Sequence, residues 1–342
     1  MMTNDISQIF VVTKNEMIKS IRGRKFHVSI LIVVLVFLLI TSLEMMGSGW
    51  NNLNTMGSLA STYLSMFPLL IALIVALLSS IALVSEFEER TALILFTRPI
   101  RRTSILIGKI LSCFLLEMLI IAIYYVCVTA VGAAKVADMS YADMGISFCM
   151  AVLYAFAASG IAFIVSAFLK KGSVSTIISL LVIIIVLPIA SSMISANDNE
   201  NWYMMDQAGN TVYTGIPGYV EEYNQTVEQA VDVMGNAVDI LKGFTSDDIA
   251  SSAKWLNEYI TSPQFELLEP EVQDSLREIA KFLSIGKVAE LDKMISALEL
   301  INNIIGNNEL KNPDIPREAA VLIVWGLVAY LVSWARFVKR EF

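Results

Sequence analysis

Side chains able to do chemistry are scarce in this chain and concentrate in one stretch. Ser85 to Lys109, SEFEERTALILFTRPIRRTSILIGK, sets eight charged residues and a proline between two long apolar segments. Glu86, Glu88 and Glu89 come first, and Arg98, Arg101 and Arg102 come last. That order suits a short helix, whose dipole favours acids at its N-terminal end and bases towards its C-terminal end. Leu93 to Phe96 add apolar surface, and Pro99 stops the helix near Arg98. Apolar anchors rimmed by both signs of charge form a docking surface for a partner. Arginines placed this way also obey topology and bind anionic headgroups.

The remaining candidates are isolated. Glu117 stands about midway along an apolar run, where an ionised carboxylate inside a membrane costs at least about 2.5 kcal/mol. It must face other helices or a wet cavity, either for transport or gating or for a hydrogen bond to a neighbouring helix. His27 is the sole histidine and has neither a second ligand nor a nucleophile at a readable spacing. It reads as a boundary residue, and no metal site is expected. Asn197, Asp198, Asn199 and Glu200 lack the glycine turn and closing glutamate of a calcium loop. Asn224-Gln225-Thr226 is an acceptor triplet for N-glycosylation at Asn224. A phosphate-binding loop needs Gly-Lys followed by Ser or Thr, but Gly108-Lys109 and Gly286-Lys287 are followed by Ile and Val. The chain is therefore expected to hold no cofactor of its own, and no nucleic-acid partner is expected.

The elements that carry these residues are set by hydropathy. Of the 342 residues, 56% are hydrophobic and 16% charged, against about 45–50% and about 25% in soluble domains. A helix crossing a hydrocarbon core of about 30 Å needs roughly 20 apolar residues. Six stretches meet that need: His27 to Leu43, Tyr63 to Ser85, Ile105 to Val131, Met144 to Leu169, Val174 to Ser195 and Ala319 to Ala335. Buried helices of a soluble protein would show charged faces between the apolar ones. The fold class is thus all-α, a polytopic membrane protein. Pro68 and Pro188 should kink or loosen the second and fifth spans. Cys113, Cys127 and Cys149 fall inside spans and cannot staple the polar segment between spans five and six.

Lys and Arg in short loops tend to stay cytoplasmic. Lys14, Lys19, Arg22, Arg24 and Lys25 precede the first span, and residues 47–62 after it carry no charge. Arg90 to Lys109, Lys170 with Lys171, and Arg336, Lys339 and Arg340 continue the alternation. Both termini and the 86–104 loop are therefore expected in the cytoplasm, in a multi-pass protein of the plasma membrane. Residues 196–317, with 21 acidic and 8 basic side chains, are expected outside as a helical extracytoplasmic domain. Glu44 and Glu318 then sit at outer helix ends in solvated positions.

The domain plan is a cytoplasmic interfacial helix at 1–26, spans one to five across 27–195, the acidic domain at 196–317 and the sixth span with its tail at 318–342. In the acidic domain Val220, Tyr223, Val227, Val231, Met234, Val238 and Leu241 recur at helical spacing. Further helices are predicted from Ser246, from Pro270 and over Val288 to Ile305. Near the N-terminus Ile6, Phe10, Met17 and Ile21 share one face, a pattern suited to a helix in the membrane interface.

The loop run resembles the first cytoplasmic loop of permease subunits of type-2 ABC exporters. The residues that carry the resemblance are Glu86, Glu88, Glu89, Thr91, Leu93 to Phe96, Pro99, Arg102, Gly108 and Lys109, with Arg90 where glycine is frequent. Six spans with both ends inside and the interfacial N-terminal helix extend it over about two thirds of the chain. The resemblance implies that the loop is a coupling helix seated in a separate ABC ATPase subunit. Glu86, Glu88, Glu89, Thr91, Leu95, Phe96, Arg98, Pro99 and Arg102 would be the coupling residues. Mg-ATP would bind that partner, and the chain itself would be non-catalytic. It also implies a second permease copy, in a homodimer or a heterodimer. Two other readings exist: a membrane-anchored protein whose outer domain binds a partner, and an intramembrane enzyme, for which one histidine and one buried glutamate are poor material.

Overall fold

The computed structural model describes residues 2–47, 49–88, 101–195, 201–242, 254, 258, 260, 261, 277, 288–306 and 310–339. Among them the chain is helical, with no strand. Six helices are long and apolar enough to cross a membrane: Arg24–Met46, Met56–Glu86, Arg102–Lys135, Tyr141–Phe168, Gly172–Ser195 and Ile315–Lys339, spans 1 to 6. They coincide with the six stretches read from hydropathy. An N-terminal helix, Met2–Arg22, precedes them. The helices predicted from Ser246 and from Pro270 lie outside the described residues.

Local chemistry sets several helix ends. Thr55 and Ser58 form a reciprocal capping box at the start of span 2, which satisfies two backbone donors. The Ser140 hydroxyl accepts from the Asp143 amide at the start of span 4. Both prolines act as expected. Pro68 follows a π-helical turn at Ala60–Leu64, and Pro188 follows one at Val182–Val186. Each ring removes a backbone donor, and the wider turn before it accommodates the mismatch.

Spans 2 and 4 are the centre of the bundle. In their most apolar windows 67% and 61% of residues are buried, against 17% in spans 1 and 5, whose leucines and isoleucines face outwards. Spans 4 and 6 approach closely because glycines meet there. A Cβ on Gly160 would lie 2.9 Å from Ala329 Cβ, and one on Gly326 would overlap the Phe156 ring. Small residues let membrane helices touch through their backbones. The same seam carries hydrogen bonds between Ser159 and Tyr330 and from Ser333 to the Phe163 carbonyl. On the other side of the core, Phe67 stacks on Tyr124 at 4.3 Å, and the Tyr124 hydroxyl donates to the Tyr63 carbonyl.

By contacts the chain forms two compact units, Met1–Val220 with Asn312–Phe342, and Glu221–Lys311. The second unit is thus shorter than the 196–317 domain expected from charge. A helix at Met205–Thr214 belongs with the spans instead. It buries Ala208, Gly209 and Val212, and a Cβ on Gly209 would lie 2.6 Å from the Tyr154 ring of span 4. Ser147 of span 4 donates to the Val212 carbonyl at 2.5 Å, and Trp325 of span 6 to the Tyr203 carbonyl at 2.8 Å. Glu318 is buried, not solvated, and its carboxylate accepts from Arg317 at 2.8 Å.

Two of the predicted helices are present, Tyr219–Lys242, which enters the second unit at Glu221, and Val288–Gly306. Gly306 approaches Val231 and Gly235 approaches Asn302, so the two helices run antiparallel. Asn224 holds the chain beyond them. Its side-chain amide donates to the Leu310 carbonyl and its oxygen accepts from the Leu310 amide, both at 2.9 Å.

Candidate functional site

The site is built at the lower end of span 2, where the helix is interrupted just before the charged loop. A 3-10 turn at Ser79–Ile81 gives way to a short helix, Val84–Glu88. The interruption frees backbone groups that a hydrocarbon environment cannot solvate, so side chains of other spans must pair with them. Ser166 of span 4 accepts from the Leu83 and Val84 amides, each at 3.1 Å. Ser175 of span 5 donates to the Ser80 carbonyl at 2.5 Å, and the Ser80 and Thr176 hydroxyls bond at 2.9 Å. A broken helix is thereby held in one geometry, and that geometry sets where the loop departs.

Lys109, one turn into the buried part of span 3, is the electrostatic centre. Its side chain is 2% exposed, and its ammonium lies 2.9 Å from Glu86 Oε1 and 3.0 Å from Glu16 Oε1. Lys19 reaches the same Glu86 oxygen at 3.4 Å. The N-terminal helix gets this close because Gly108 has no side chain. A Cβ there would lie 2.6 Å from Val12 Cγ1 and 3.2 Å from the Ile9 carbonyl. The Gly108-Lys109 pair therefore has two physical jobs, close backbone approach and a buried counter-charge. The opposite face of the N-terminal helix leaves Ile6 and Phe10 exposed, as an interfacial helix would.

Glu88 and Arg102, at the two described ends of the loop, are also tied inward. Glu88 Oε2 accepts from the Gly172 amide at 2.9 Å and so caps the first turn of span 5, whose N-cap Lys171 supplies no side-chain bond. A Cβ on Gly172 would lie 2.9 Å from that oxygen, which accounts for glycine there. Arg102 donates to the Val338 carbonyl at 3.1 Å, in the last turn of span 6. Of the nine coupling residues read from sequence, Glu86, Glu88 and Arg102 thus bind other parts of this chain. Glu89, Thr91, Leu95, Phe96, Arg98 and Pro99 lie outside the described residues.

Glu117 points into the bundle. Its Oε1 accepts from Ser79 at 2.6 Å, which joins span 3 to the 3-10 turn of span 2, and its buried Oε2 has no hydrogen-bond partner. It sits one helical turn from Cys113 and two from Lys109. The His27 ring donates from Nδ1 to the Gly23 carbonyl, at 3.1 Å. Among the described residues no group of three His, Cys, Asp or Glu side chains could hold a metal ion.

Sequence reading overlooked Glu16 and the serines that stitch span 2. The signal for Glu16 was available: a lysine inside an apolar run requires a counterion, and Glu16 is a carboxylate in a helix that otherwise carries mostly bases. The serine pairings had no such signal, since hydroxyls are common in membrane helices.

No curated protein matches the chain. A family model described as ABC-2 family transporter protein matches residues 10–342. The match takes in the N-terminal helix from its middle, the broken second span, the charged loop, both compact units and the last span. The chain therefore belongs to the ABC-2 family of transporter proteins and is a multi-pass membrane permease of that family.

Proposed function

We propose that the chain is the permease subunit of an ATP-driven exporter and that residues 86–104 receive the movement of a separate cytoplasmic ATPase. The observation that carries this reading is how both ends of the segment are tied. Glu86 connects through Lys109 to the N-terminal helix and span 3, Glu88 to the first turn of span 5, and Arg102 to the last turn of span 6. Force applied to such a segment moves several helices together, whereas a loop with free ends would absorb it. Glu89, Thr91, Leu95, Phe96, Arg98 and Pro99 would form the face that meets the ATPase, with Glu86, Glu88 and Arg102 anchoring it. ATP binding on the partner, with its Mg²⁺, would then bias a two-state rearrangement of the spans. A second permease copy, identical or different, completes the complex. The Lys and Arg bias supports both termini inside and the Glu221–Lys311 unit outside the plasma membrane.

The test replaces Glu88, Glu89 and Arg102 together and measures the ATPase recovered with the affinity-tagged chain. A loss of roughly tenfold or more with normal membrane insertion is expected, since the docking face loses Glu89 and both of the ties at Glu88 and Arg102 that hold it in place. Wild-type assembly and ATP-driven transport in that variant would refute the docking role. A cysteine placed at Arg98 should react with impermeant reagent only after the cells are opened; labelling of intact cells would refute the orientation.

A further inference from the structure

A cavity of about 320 Å³ lies between the N-terminal helix, the start of span 1 and the lower ends of spans 2 and 3. The coupling role described above leaves it unused. Lys19, Arg24, Lys25 and Lys109 line it against Glu16, so the described lining is mainly basic. Phe26, Leu78 and Ile81 add apolar wall, beside Ser20 and Ser85. The first turn of span 1 borders it; that helix has a glycine N-cap with no side-chain bond and no acid in its first turn. A helix start left in this state favours an anion. A second observation points the same way. Ser112 lines the cavity, is 1% exposed, and its hydroxyl has no hydrogen-bond partner. A buried donor left unused is costly unless something fills the space beside it.

What fills it must be anionic at one end and apolar at the other. Arg24 shares a helical face with Val28, Leu31 and Leu35, at spacings of four, seven and eleven residues, and these three side chains are exposed. A molecule whose charged head sits at Arg24 and Ser112 therefore finds an open apolar track along span 1. The cavity lies at the level of Lys109 and Glu86, where the apolar parts of spans 2 and 3 end. We propose that it binds the phosphate of an anionic phospholipid, with the acyl chains laid along Val28, Leu31 and Leu35. This proposal requires membrane embedding but neither the ATPase nor the direction of transport, so it stands or falls separately from the coupling role.

The experiment uses the full chain in mild detergent, with phosphatidylglycerol and phosphatidylcholine of identical acyl chains as probes and native mass spectrometry to count bound lipid. Phosphatidylglycerol should bind in preference. Arg24→Gln with Lys25→Gln should weaken it roughly thirtyfold, which is about 1 kcal/mol for each basic residue near the headgroup. Lys170→Gln with Lys171→Gln removes the same charge elsewhere and should leave binding within about threefold. Ser112→Val keeps every charge, tests the site even if the first pair disturbs insertion, and should weaken phosphatidylglycerol about tenfold, the share of one hydrogen bond to a charged group. Equal affinity for the two lipids would overturn the proposal, as would equal losses in both double variants or unchanged binding in Ser112→Val. Displacement of the lipid by an equal concentration of inorganic phosphate would also overturn it and mark a site for free phosphate.

Discussion

Replacing Lys109 by methionine tests the junction at its centre. Methionine keeps the length and most of the packing of the lysine stem, so the change isolates the charge. The two carboxylates left behind have their Oε1 atoms within about 6 Å of each other, since both touch the same ammonium. At an effective dielectric of about 20 their repulsion is roughly 3 kcal/mol. Unpairing buried ion partners costs about 3–5 kcal/mol. Because Glu16 and Glu86 keep 22% and 11% of their side-chain surface, water offsets part of this, and a loss of about 3 kcal/mol is the expected outcome. The assay is reversible unfolding in mixed micelles, read alongside protease access to the N-terminal helix. The single variant should unfold more readily and release that helix. Adding Glu16→Gln and Glu86→Gln to Lys109→Met should recover stability to within about 1 kcal/mol, because no buried charge is then stranded and Lys19, which loses its contact with the Glu86 carboxylate, has a side chain 51% exposed to water. A single variant as stable as the parent, or a triple variant no better than the single, would refute the ion-pair reasoning.

Glu117→Gln should insert and assemble normally, because an amide oxygen still accepts from Ser79; altered export in that variant, measured over a range of external pH, would assign the carboxylate a transport role, and wild-type export would leave it structural. Glu117→Leu removes that acceptor and should cost about 1–3 kcal/mol in the same unfolding assay. Gly326→Leu must displace the Phe156 ring and part spans 4 and 6, costing about 1–3 kcal/mol or more, and crosslinking yield between cysteines in those spans should fall. Asp206, beside the spans in the Met205–Thr214 helix, has its carboxyl pushed above its ordinary value of 3.8 by burial, partly opposed by hydrogen bonds from backbone and Ser191. The folded chain therefore holds this proton more tightly than the unfolded one, so the contribution is fullest below pH 3.8 and is lost as pH rises through the raised value. Asp206→Asn should raise thermal stability at neutral pH and flatten its pH dependence; an unchanged pH profile would count against the burial.

Hydropathy along the chain determined the six spans, because transfer of each side chain into hydrocarbon depends little on which helix lies beside it. The charged segment was visible in the sequence as eight charges between two apolar runs. What those charges touch was not legible. Glu88 meets Gly172 across 84 positions and Arg102 meets Val338 across 236, and such pairs exist only once the spans have chosen neighbours. The same holds for residues 201–220, polar enough to read as part of an outer domain yet packed on spans 4 and 6, and for Glu318, read as solvated yet buried. Partition free energy is a local property that the sequence carries by itself. The pairing of buried polar groups depends on distance in space, and only the assembled bundle decides which carboxylate faces which amide or ammonium.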